Sequence, residues 1–157
     1  MARYRERRVI GCTPAVAYAF RRDFTNLPRY NPDVADLVTV DERTYAFRLR
    51  IGPARLPVTL RVTAEEPPHR LVCELDTLMP AVEECRIDAC PDGTLLTFIT
   101  EVDSRCGPLR PLVDRFFVVP TGLRQVRREL DLMADLLQEP AAGSGSGSAS
   151  GPGSIRP

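Results

Sequence analysis

The chain has 157 residues, enough for one domain with a core of its own and too few for two ordinary ones. Its formal net charge is zero, with 43% hydrophobic and 27% charged residues, so no whole-chain field draws it to nucleic acid or to an anionic membrane. Every one of the 21 basic residues is arginine, the one histidine is His69, and tryptophan is absent. This excludes lysine Schiff-base chemistry and multi-histidine metal sites, and any Ser-His-Asp triad would have to use His69.

Five cysteines, Cys12, Cys73, Cys85, Cys90 and Cys106, form no CxxC pair and follow no secretory hydrophobic region. A cytoplasmic protein with mostly buried thiols is the expectation. No apolar run approaches the ~20 residues that span a bilayer.

In chain order, Arg3 to Gly11 reads as a first strand ending in Val9-Ile10. Thr13-Pro14 then starts a helix, since threonine caps well and proline at the first helical position gives up no needed N–H. Val16, Ala19, Phe20 and Phe24 recur at helical spacing, which predicts an amphipathic helix over Pro14 to Phe24. Leu27-Pro28 and Asn31-Pro32 break it, leaving room for a short second helix at most.

From Ala35 the period becomes two. Leu37 to Asp41 reads as a strand, and Tyr45, Phe47, Leu49 and Ile51 alternate with Ala46, Arg48 and Arg50 in the clearest half-buried strand of the chain. Leu56, Val58, Leu60, Val62 and Ala64 alternate in the next, where Pro57 predicts an edge position or a bulge. After the turn at Glu66-Pro67-Pro68-His69 come Leu71, Cys73 and Leu75 in a further strand. Ala81 to Cys90 and Thr94 to Asp103 follow, joined at Pro91-Asp92-Gly93. With no helical segment between these strands, the sheet should be antiparallel.

After Gly107-Pro108 the period is helical. Leu112, Phe116, Val119, Leu123, Val126, Leu130, Met133 and Leu137 alternate spacings of four and three and share one stripe, with a kink expected at Pro120 and Gly122. A domain is thus expected over 1–139, followed by a Gly/Ser/Pro-rich flexible tail over 140–157.

This order of elements resembles the SRPBCC superfamily, which includes START domains and the birch-pollen-allergen fold. Phe24-Thr-Asn-Leu-Pro-Arg-Tyr-Asn-Pro-Asp-Val34 looks like that family's break after the first helix. Val62-Thr-Ala-Glu-Glu-Pro-Pro-His-Arg-Leu71 looks like one of its hairpins, and Gly93-Thr94 with the strand after it looks like its penultimate element. The resemblance implies an α+β helix-grip fold: a curved antiparallel sheet of about seven strands around a long C-terminal helix, two short helices after the first strand, and an apolar pocket between.

Within the superfamily, Tyr45-Ala-Phe-Arg-Leu-Arg50 and Thr59-x-Arg61 resemble single-domain polyketide aromatase/cyclases. There is also similarity to coenzyme-Q-binding START-like proteins, and Ile51-Gly-Pro53 is similar to a group of carbon monoxide dehydrogenase subunits. The first resemblance implies cofactor-independent, metal-free cyclisation or dehydration of a polyketide-like intermediate. The second implies a non-catalytic carrier of a lipid or quinone, and the third a subunit that helps a metalloenzyme mature. The partner expected is a hydrophobic small molecule, with no nucleic acid, no stable membrane insertion, and a monomer or homodimer as the assembly.

If the apolar faces point inward, Tyr45, Phe47, Leu49, Leu75, Phe98, Phe116, Leu123 and Val126 line the pocket, with Phe117 at its mouth and Thr100 as a hydrogen-bonding group. Three residues are candidates for chemistry. Tyr30 could bond a ligand carbonyl or simply cap the core. Arg61 could stabilise an enolate, although the parity of Leu60 and Val62 points it outward unless a bulge near Pro57 reverses the strand. Glu83 enters the pocket if Cys85 and Ile87 face in, as a general acid or base; otherwise Glu84, Arg86 and Asp88 enter.

Overall fold

The computed structural model describes residues 1–138; the tail expected over 140–157 lies outside them. Seven strands form one antiparallel sheet in the order β1-β7-β6-β5-β4-β3-β2, so the first two strands of the chain occupy opposite edges. They are β1 (Ala2–Ile10), β2 (Val34–Asp41), β3 (Thr44–Ile51), β4 (Ala54–Glu66), β5 (Arg70–Asp76), β6 (Ala81–Cys90) and β7 (Gly93–Val102). Between β1 and β2 lie α1 (Pro14–Arg22) and α2 (Leu27–Tyr30); after β7 come α3 (Arg110–Val113) and α4 (Val119–Leu137). The long C-terminal helix lies against the sheet's inner face, as the helix-grip expectation holds. Among the described residues no helix is long and apolar enough to cross a membrane.

Thr13 caps α1 through its hydroxyl, which accepts from the Val16 N–H at 3.4 Å. The helix stops two residues before the expected Phe24. Asp23 takes an extended conformation, and its carboxylate accepts from the Thr25 N–H and hydroxyl at 3.1 and 2.6 Å. Phe24 then turns wholly inward, its ring 5.0 Å from that of Tyr45. The buried face of α1 also differs from the expected stripe: Ala17, Tyr18 and Arg21 are buried, whereas Val16 and Ala19 are exposed.

Strand β2 begins three residues earlier than its alternation suggests, because Asp36 at φ 55° lets the strand slip register between Ala35 and Val38. In β4 the proline is at a local edge. Pro57 pairs with Arg48 on β3, and the ladder to β5 starts only at Thr59, so its missing N–H breaks no bond on that side. The bulge in β4 falls later, between Val62 and Ala64. Val58, Leu60 and Val62 therefore keep their inward parity. The β6–β7 hairpin turns through Pro91-Asp92 into Gly93 at φ 129°, where any side chain would run into the Ile10 carbonyl.

The largest departure is in the C-terminal helix. Asp114–Val118 is a π-helical segment, in which the Val119 N–H bonds the Asp114 carbonyl five residues back. It lies directly before Pro120, which has no N–H to give an ordinary helical turn. One extra residue rotates the preceding turns by about 100° relative to an unbroken α-helix. Leu112 and Phe116, expected on the buried stripe, therefore face solvent, and Val113 and Val118 take over the inner face, with the exposed Phe117 at the cavity's rim.

Candidate functional site

A cavity of about 370 Å³ lies between the sheet and the C-terminal helix, a size usual for small-molecule sites. Phe47, Leu49, Val58, Leu60 and Leu75 supply its apolar wall from β3, β4 and β5, and Val126 faces them from α4. Its mouth is formed by the β3–β4 turn at Ile51, the β5–β6 loop at Leu78, and Phe117 on the π segment, all of them exposed.

At the deep end, polar side chains replace the apolar wall. Arg21 is 2% exposed and sits over three aromatic rings, its guanidinium 4.9 Å from the centre of Phe24, 5.2 Å from Phe98 and 5.6 Å from Tyr30. One of its nitrogens donates to the Tyr30 hydroxyl at 2.6 Å, and another pairs with the Glu83 carboxylate. A buried cation would be costly unpaired, and here Glu83 and the hydroxyl oxygen of Tyr30 partner it.

Glu129 is the second buried carboxyl, 7% exposed on the cavity wall. Its hydrogen bonds come from neutral groups: the Asn31 amide donates to Oε1 at 2.7 Å and the Gln125 amide to the same atom at 3.4 Å. Burial, and then repulsion from Glu83, pushes its pKa up to about 8, which favours the protonated acid at neutral pH. Tyr4 on β1 completes this end. Burial first, and then the Glu83 charge, raises its pKa to about 12. Its ring lies directly over Gly122, where even a methyl group would overlap it, so α4 can approach β1 only with glycine there. Thr100, the cross-strand partner of Tyr4, is set beside its hydroxyl without hydrogen-bond geometry to it.

Of the residues expected at the site, Phe47, Leu49, Leu75, Thr100, Phe117, Val126 and Glu83 do line the cavity. Cys85 and Ile87 face inward with Glu83, while Glu84 and Arg86 lie on the outer side, where Glu84 pairs with Arg70 and Arg86. Tyr45 and Phe98 are packed into the core beneath the cavity. Phe116 does not reach it, because the π segment rotates the turns before Val119. Leu123, beyond that segment on α4, is half-buried, but Gly122, Gln125, Val126 and Glu129 supply the helix's share of the wall. Tyr30 is fully buried and spends its hydroxyl on Arg21. Arg61 lies exposed on the outer face of β4, opposite Glu74, and borders a shallow groove there. With no bulge at Pro57, nothing reverses its facing.

Sequence reasoning overlooked Arg21, Asn31, Gln125, Glu129 and Tyr4. A signal did exist for two of them: Arg21 is four residues after the buried Ala17, and Glu129 three after Val126, so each shares a face with core residues. Burial also pushes the thiols of Cys73 and Cys85 up to about 12, so neither supplies a thiolate nucleophile at neutral pH. Among the described residues no group of three or more His, Cys, Asp or Glu could hold a metal ion.

Solved structures share this architecture at low identity. The di-domain aromatase/cyclase StfQ of the steffimycin biosynthetic pathway superposes with a TM-score of 0.74 at 12% identity, over 87% of this chain and 51% of that one. A START superfamily protein of Mycobacterium smegmatis gives 0.73 at 14% identity, over 87% of this chain and 99% of that one. A protein of Thermus thermophilus gives 0.74 at 14% identity, over 86% and 96%. No protein of curated function matches by sequence. The family model described as polyketide cyclase / dehydrase and lipid transport matches residues 1–138, every residue whose fold is described above, and the chain belongs to that family.

Proposed function

We propose that the protein binds an apolar small molecule in the cavity and promotes cyclisation or dehydration of a polyketide-like intermediate without a cofactor. The observation that carries this reading is the pair of carboxyl groups, Glu129 buried and Glu83 nearly so, at the deep end of a largely apolar cavity. Glu83 is ion-paired with Arg21, whereas Glu129 is bonded by neutral amides and its pKa is raised by burial and by repulsion from Glu83. Environments that set two carboxyl groups in different protonation states provide a base and an acid side by side. Glu83 is then the proton acceptor at a carbon beside a ligand carbonyl. Tyr30 is a positioning residue, holding Arg21 so that Arg21 in turn holds Glu83. The apolar wall orients the chain of the substrate, and orientation alone can supply a large share of a ring-closure rate.

Turnover of a synthetic aryl β-hydroxy ketone to its conjugated enone, followed by absorbance, tests this. The wild-type protein is expected to accelerate dehydration over buffer, and Glu83→Gln to lose about 100-fold or more of that acceleration. If the ketone binds but is released unchanged, the protein is a carrier. That second reading draws on the family's lipid-transport members and on the exposed apolar mouth at Leu78 and Phe117.

A further inference from the structure

The deep end of the cavity has a charge balance that decides what can enter. Its wall holds two carboxyl groups, Glu83 and Glu129, and among the described residues one cation, Arg21. That cation is already engaged by the Glu83 carboxylate and the Tyr30 oxygen and enclosed by three rings. A ligand ending in an anion would be stripped of water beside Glu83 with no free counter-charge to meet it.

Glu129 offers the opposite. Asn31 and Gln125 both donate to Oε1, so Oε1 is fixed as the acceptor oxygen. Oε2 has no protein partner among the described residues, and the side chain borders the cavity. The proton of the acid therefore belongs on Oε2, as a donor available to whatever fills the space. The titratable and charged groups around it are Arg21 on α1, Tyr30 on α2, Glu83 on β6 and Tyr4 on β1. Arg21 answers one negative charge, and Glu83 already supplies it.

We propose that the cavity selects ligands whose buried end is an uncharged acceptor, a keto or hydroxyl oxygen bound by the Glu129 carboxylic acid, and rejects ligands that end in a carboxylate. The selection rests on the cavity being a ligand site, and it holds whether the ligand is transformed or only carried. It also has a pH limit. Because the acid persists up to a pKa of about 8, the donor is present at neutral pH and is lost above that value.

Isothermal titration with two matched pairs tests this: 2-acetylnaphthalene against 2-naphthoate, and decan-2-one against decanoate. At pH 6.5 each ketone is expected to bind at least ten times more tightly than its carboxylate. Between pH 8 and pH 9 the wild-type affinity for the ketones should fall several-fold. In Glu129→Gln, whose amide remains a donor, ketone binding should persist and lose its pH dependence. Carboxylates binding within threefold of the ketones would overturn the selection while leaving the cavity as a ligand site. A wild-type ketone affinity that stays flat from pH 6.5 to 9, or a variant that keeps the wild-type pH profile, would overturn the role of Glu129. Failure of all four probes to bind would overturn the ligand site itself, and the selection with it.

Discussion

At the deep end of the cavity Arg21 and Glu129 are buried and Glu83 is nearly so, whereas at and around its mouth Leu78, Leu112, Phe116 and Phe117 are exposed, Phe117 by 70%. The two regions depart from ordinary burial in opposite senses. The sheet's inner face and the middle of α4 follow the rule: Val58, Leu60, Val62, Leu96 and Leu130 are buried, and Arg3, Arg61, Arg124 and Arg127 are exposed. Local rules are most often broken where function requires it, because each exception costs stability that a purely structural site would not give up. The deep end holds Arg21, Glu83, Tyr30 and Asn31 in pairs and, among the described residues, leaves only Arg21 Nε and the Thr100 hydroxyl buried without a partner, while the mouth leaves its apolar groups uncovered.

Pairing at the deep end can be broken most severely at Arg21. Arg21→Met leaves the Glu83 carboxylate buried without its partner and the Tyr30 hydroxyl without its donor. Urea denaturation is expected to show a loss of about 3–5 kcal/mol. Adding Glu83→Leu should recover much of it, since the uncompensated charge is then gone. A double variant no more stable than Arg21→Met alone would show that the loss comes from the cation–π cage rather than from the ion pair.

The next effect is at Glu129 and depends on pH. The unfolded chain releases this proton near 4.5, and the folded protein holds it to about 8. Between those values the folded state binds more protons than the unfolded state, so stability falls as pH rises from about 5 to 8. Glu129→Gln removes that slope and should be more stable than wild type at pH 8 by about 2–4 kcal/mol, with little difference near pH 4. Parallel stability profiles for the two proteins across that range would show that Glu129 is charged in the fold.

The contrast between the two ends also marks what the sequence could reveal. Period-two alternation in Tyr45–Ile51 and Leu56–Ala64, turn residues such as Pro91-Asp92-Gly93, and the apolar spacing of Val126, Leu130 and Met133 are local signals, and each produced the element expected. The deep end is not local. Arg21 meets Glu83 across 62 positions and Asn31 meets Glu129 across 98, so neither partnership leaves a mark on its own segment. A charged residue on an apolar face reads as an ordinary surface position until its partner is known. The turns of helix beside the mouth depart from their spacing for a different reason. Pro120 marks a break, yet whether the helix bends, stops or gains a residue is decided by backbone hydrogen bonds over Asp114–Val119. One added residue was enough to turn Phe116 away from the cavity while Phe117 stays at its mouth, and to exchange Leu112 for Val113.

That exchange gives the mildest test and the most direct one for the mouth. Phe116 and Phe117 are adjacent, both aromatic and both more than 60% exposed, so replacing either by serine should change stability by no more than about 0.5 kcal/mol. They differ in what they face. Phe117 borders the cavity, whereas Phe116 lies under the Arg115 guanidinium, 5.9 Å from its ring centre. An aromatic ring at a pocket rim contributes about 1 kcal/mol to a flat ligand that stacks on it. Phe117→Ser should therefore weaken 2-acetylnaphthalene binding about fivefold, and Phe116→Ser should leave it unchanged. Equal losses would mean that both rings fold over the bound ligand. A loss confined to Phe116→Ser would mean that the helix binds ligand with the extra residue of the π segment ironed out, restoring the stripe that its spacing describes.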